Sequence, residues 1–134
     1  MKPLTTFGKE LRKRRIDRAE TLFSMATQIG VTSAYLSAVE TGRKRVSEDV
    51  FRRITGHFGL EMAEIEILKI LADESAPSVK ISLLKADDEA RSVAAMFART
   101  FHDMEPEKMR GLKKYLENIL EQRVEAEPDD RYRD

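Results

Sequence analysis

The chain has 134 residues, 36% of them charged and 41% hydrophobic, enough for one modest core or for a five-helix unit with a short appendage. Cysteine is absent, which excludes disulfides and thiolate metal sites and makes a reducing cytoplasm the expected location; with no apolar run of eighteen residues and no charged-then-apolar leader, neither a membrane span nor a signal peptide is expected. The formal net charge is zero but unevenly placed, since residues 1–58 carry twelve Lys plus Arg against six Asp plus Glu and residues 59–134 carry twelve against eighteen, so the first half suits a polyanion.

Residues 4–16 have the pattern of a first helix, with Phe7, Leu11 and Ile16 apolar around a basic run, Arg12-Lys13-Arg14-Arg15. Glu20 or Thr21 can cap a second helix whose Leu22, Met25, Ala26 and Ile29 fall on one face; Gly30 ends it, and Val31 behind that glycine can plug the gap to the next helix. Thr32 restarts the chain as an N-cap. The third helix, residues 33–41, turns Leu36 and Val39 inward and Ser33, Ala34, Ser37, Ala38 and Thr41 outward, and Gly42 stops it. A face of Ser, Ala and Thr without charge can bring its backbone deep into a DNA major groove, where methyls touch thymine and hydroxyls meet base edges. A second basic cluster, Arg43-Lys44-Arg45, follows directly, so that positive charge flanks this helix as phosphate strands flank a groove. Ser47, with Glu48 and Asp49 in the first turn, starts a fourth helix running to about His57, which buries Val50 or Phe51, Ile54 and Phe58 before Gly59. A fifth, about residues 62–73, carries Ile65, Leu68 and Leu71.

The segment from Thr21 to Gly42 resembles the lambda-repressor-like helix-turn-helix of the Xre family of prokaryotic and phage regulators. Ala26 lies four residues before Gly30, Val31 follows that glycine, and SAYLSAVETG at residues 33–42 matches the family's recognition helix. The likeness covers about residues 7–71 and implies that Thr32, Ser33, Ala34, Ser37 and Ala38 meet bases or nearby phosphates. It also implies that Arg15 pairs with Glu40, tying the first helix to the recognition helix. Leu22 stands where many members have a phosphate-clamping glutamine. Phosphate contacts are expected from Arg12, Arg14, Tyr35, Thr41, Arg43, Lys44 and Arg45.

Beyond residue 74 the pattern breaks at Ser75, Pro77 and Ser78, a linker, and then alternates over Val79-Lys80-Ile81-Ser82-Leu83-Leu84 with the period of a half-buried strand. Asp87 caps a helix to about Asp103 with Ala90, Val93, Ala94, Phe97 and Phe101 on one stripe. Pro106 starts another, to about residue 124, with Met109, Leu112, Leu116 and Ile119 in line and Leu120 beside them. The closing EAEPDDRYRD is too polar to pack and is expected to be disordered. An unpaired strand exposes backbone donors and acceptors that a second copy can satisfy, so Val79, Ile81 and Leu83 are expected to pair antiparallel across a dimer, covered by Phe97, Phe101, Leu112 and Leu116.

No cofactor, metal or catalytic site is expected, because His57 and His102 lack ligand-spaced partners and no phosphate-cradling glycine loop or nucleophile motif occurs. The expected fold is mainly α: a five-helix lambda-repressor-like DNA-binding domain (1–74), a linker (75–78), a strand with two helices for dimerisation (79–124) and a disordered tail (125–134). The expected partners are double-stranded DNA and a second copy, as for a repressor on an inverted-repeat operator. The alternative is an antitoxin whose acidic C-terminal half neutralises a basic toxin. An RNA-binding role is weaker, since Tyr35 is the one stacking aromatic on the recognition helix.

Overall fold

Hydroxyl and carboxylate caps set where five of the helices begin. The computed structural model describes residues 3–126 and places α1 (Thr6–Asp17), α2 (Leu22–Ile29), α3 (Ser33–Glu40), α4 (Glu48–Phe58), α5 (Met62–Ser75), α6 (Asp88–Thr100), a single 3-10 turn (Phe101–Asp103) and α7 (Pro106–Ala126). Thr5, Thr21, Thr32, Ser47 and Asp87 each accept a bond from the backbone N–H three residues on, at 3.1, 3.0, 3.0, 3.2 and 2.8 Å. Each cap satisfies one of the donors that a helix start leaves without an intrahelical partner. The stops are equally local. Val31 donates to the Ala26 carbonyl at 2.9 Å behind left-handed Gly30. At the end of α1 the left-handed position is filled by Ala19 (φ +54°), with Glu20 N–H returning to the Arg15 carbonyl at 2.8 Å.

The chain divides into two units between Ile81 and Ser82. In the first, α1 to α5 close around Phe7, Leu11, Met25, Leu36, Ile54 and Leu68, all almost wholly buried. Phe7 stacks on Phe51 with ring centroids 6.5 Å apart, joining α1 to α4. Val50 and Phe51 are both buried, whereas Ile16, grouped in the sequence with the apolar set of α1, points outward. Chain direction turns by 108° from α2 to α3, in the range of a helix-turn-helix.

In the second unit no residue of α6 is buried, nor is any residue of α7 up to Arg123. The expected strand at 79–84 is a correction: among the described residues there is no strand, and Val79 and Ile81 stand 75% and 69% exposed. Alternation describes two faces, but a strand also needs a neighbour to complete its hydrogen-bond ladder, and no second segment here supplies one. Residues 83–86 make a turn instead, in which Ala86 N–H donates to the Leu83 carbonyl at 3.1 Å and Arg91 donates to the same carbonyl at 2.7 Å. Helix α7 runs two residues past its expected end, and the rest of the expected tail lies outside the described residues. Among the described residues no single helix is long and apolar enough to cross a membrane.

Candidate nucleic-acid interface

The outer face of α3 is defined by how tightly its other side and its C-terminal end are held. Arg15 on α1 and Glu40 at the end of α3 are 6% and 2% exposed and meet in a bidentate pair, with Nη2 donating to Oε1 at 2.9 Å and Nη1 donating to Oε2. Such a fork fixes orientation as well as distance. The Glu40 carbonyl accepts from Thr5 N–H at 2.9 Å and from the Thr5 hydroxyl at 3.0 Å. Gly8 packs directly on that backbone: a Cβ there would lie 2.1 Å from the Glu40 carbonyl oxygen. The loop after α3 is fitted just as closely. Gly42 (φ +76°) needs a left-handed backbone, and a Cβ on it would stand 2.8 Å from Thr5 Cγ2 and 3.0 Å from the Ser75 carbonyl oxygen. Neither Thr5 nor Gly8 was singled out from the sequence, because their roles depend on contacts more than thirty residues away.

Held in this way, α3 leaves Thr32 and Ala34 exposed and Ser33 and Ser37 half-exposed along one side. Ala38, expected on the same face, is instead 7% exposed. The loop folds back over it, with Arg43 and Lys44 N–H both donating to the Ala38 carbonyl at 2.9 and 3.2 Å. Thr41 is half-buried and donates its hydroxyl to the Ser37 carbonyl at 2.9 Å, so its proton is committed within the helix.

Of the expected phosphate contacts, four gather around α3. Arg43 is exposed with Nε 3.3 Å from the Thr41 hydroxyl, Lys44 Nζ lies 5.9 Å from the Tyr35 ring centre, and the Tyr35 hydroxyl accepts from Ser47 N–H at 3.4 Å. Three do not join them. Arg45 is drawn to Asp73 at 3.2 Å and to the Ser78 carbonyl at 2.6 Å. Arg14 bridges Glu10 at 3.3 Å and Glu64 at 3.2 Å, which ties α1 to α5. Arg12 lines a cleft with Leu4, Lys9, Lys13, Ile16 and Asp17 on the outer side of α1, and no α3 residue takes part in it.

Two further polar contacts brace the motif. Arg53 on α4 donates to the Ile29 carbonyl at 3.2 Å, closing the end of α2. Glu20 meets His57 Nε2 at 2.7 Å, both side chains largely buried, and Arg18 lies 2.8 Å from the other Glu20 oxygen while donating to the His57 carbonyl at 2.6 Å. The Arg18–Glu20 contact is an ion pair by distance but lacks the angle of a directed hydrogen bond. His57 thus joins the α1–α2 turn to the end of α4. Among the described residues no group of three or more metal-ligating side chains is assembled.

A family model described as a helix-turn-helix domain matches residues 6–68, from the first turn of α1 into α5. Two crystal structures of the clp gene regulator ClgR from Corynebacterium glutamicum are similar to this chain. One is 30% identical over 55% of this chain and 91% of that one, with a TM-score of 0.41. The other is 26% identical over 75% of this chain and 97% of that one, with a TM-score of 0.44. No curated protein matches the chain.

Proposed function

We propose, on the helix-turn-helix family model that matches residues 6–68, that the chain is an Xre-like helix-turn-helix transcriptional regulator, and that it is a sequence-specific repressor that occupies an inverted-repeat operator as a homodimer and blocks a promoter by occlusion. The observation that carries this reading is the smooth outer side of α3, where Thr32, Ser33, Ala34 and Ser37 stand clear of the core beside exposed Arg43 and Lys44. Small side chains let the helix backbone approach base edges closely, and each well-made base contact is worth about 1–3 kcal/mol of discrimination. Arg43 and Lys44 supply phosphate contacts that fix register without reading sequence. Arg12, Arg14 and Arg45 are left out of this set.

Footprinting the purified protein on the DNA upstream of its own gene tests the proposal. A protected site with two related half-sites about 34 Å or a multiple apart is the expected result. Uniform binding to all duplexes, unaffected by Ser37→Tyr, would remove the sequence-reading role. A second reading, an antitoxin, is favoured by the exposed apolar stripes of α6 and α7 in the acidic half of the chain. A small basic gene product that is encoded alongside and copurifies stoichiometrically would select it.

A further inference from the structure

Helix α7 carries a seam of Met109, Leu112, Leu116 and Ile119 at alternating spacings of three and four, the repeat that keeps one helix in register against another. Leu116 and Ile119 are about half exposed and nothing in the second unit buries them. The charges beside this seam discriminate between the two ways in which two copies of α7 can meet. Lys108 and Lys113 flank it on opposite edges, and Glu117 follows Lys113 on the same edge. In a parallel pair opposite edges face each other, which puts Lys108 of each copy beside Lys113 of the other, twice. In an antiparallel pair like edges face each other, and centring on Leu116 puts Lys113 of each copy beside Glu117 of the other, twice. Edge charges of this kind set partner orientation rather than bulk affinity. Charge along the helix repeats the argument, since Lys108, Arg110, Lys113 and Lys114 outnumber Glu107 in its first half, while Glu117, Glu121 and Glu125 outnumber Arg123 in its second.

We propose that α7 is the self-association element of this protein and that it docks on α7 of a second copy antiparallel, about a two-fold axis at Leu116. The inference rests on the homodimer reading above and replaces the strand expected at 79–84 as the means of pairing. An interface of this form is isologous, so it closes at two subunits.

The absence of native cysteine makes disulfide trapping in the full-length chain a clean test. Two Cα atoms more than about 7 Å apart cannot be bridged without backbone movement, and a helix rises about 1.5 Å per residue. Leu116→Cys is expected to oxidise to a covalent dimer. Leu112→Cys and Ile119→Cys, each alone, are expected to stay largely uncrosslinked, whereas their equimolar mixture crosslinks. Efficient crosslinking of Leu112→Cys alone and of Ile119→Cys alone means parallel pairing and overturns the proposal. Failure of all of these in a protein that still sediments as a dimer also overturns it and leaves the homodimer reading standing. A monomer in sedimentation at concentrations that saturate the operator defeats both.

Discussion

Of the glycines, Gly8 leaves a Cβ the least room, against the Glu40 backbone, and substitutions at Gly8 and Glu40 separate steric from electrostatic contributions. Gly8→Ala forces its methyl into the Glu40 carbonyl, a rigid backbone atom, so α1 and α3 must part. A loss of about 1–3 kcal/mol or more is expected, the scale of overpacking, and urea unfolding reads it. A Gly8→Ala protein with an unchanged midpoint would mean that the two helices slide freely. Glu40→Ala leaves the Arg15 guanidinium buried without its partner, at an expected cost of about 3–5 kcal/mol. Arg15→Met combined with Glu40→Leu is expected to cost less than the sum of the two single changes, because replacing both members removes the unpaired charge; additive losses would show the pair to be uncoupled. Ala19 runs the other way. It holds a left-handed conformation that costs a residue with a Cβ roughly 1–2 kcal/mol, so Ala19→Gly is expected to raise the unfolding midpoint, and a lowered midpoint would refute the strain.

At the scale of the element, α2 and α3 were legible because everything that defines them is local: a hydroxyl cap, an apolar stripe and a glycine stop, each within ten residues. What escaped was set at long range. Arg45 counts as one of three adjacent cations in the sequence, but Asp73, 28 residues on, takes it. Ala38 belongs to the outer face by helical spacing alone, yet the returning loop covers it. Residues 79–84 alternate like a strand but have no ladder partner, and pattern alone cannot provide one. The division of labour on α3 is open to measurement. Arg43→Ala is expected to weaken binding to every duplex alike and to lower the slope of log affinity against log salt by about 0.9, one lost phosphate contact. A changed operator preference with an unchanged slope would reassign Arg43 to base reading.

For the molecule as a whole, positive charge is concentrated in the half that carries the helix-turn-helix and negative charge in the half that carries the exposed stripes. The proposed polyanion binding and the proposed self-association thus fall to different segments, and removing one should spare the other. A chain ending after Ile81 keeps the Arg45 contacts to Asp73 and the Ser78 carbonyl that secure the end of the first unit. It is expected to fold, to sediment as a monomer and to bind a single half-site far more weakly than the full chain binds the operator, since linking two sites makes the second contact intramolecular. Full operator affinity in the shortened chain would place the pairing surface within residues 1–81.

Helices α6 and α7 bury none of their described side chains within their own chain, and a helical segment without a core opens at little free-energy cost. In the proposed homodimer their order therefore depends on the concentration of the chain itself, by mass action. Scarce copies would present these helices as unprotected substrate to cellular proteases, and abundant copies would shield one another. A regulator assembled on these terms has a lifetime that lengthens with its own abundance, so its level in the cell rises more steeply than in proportion to its synthesis.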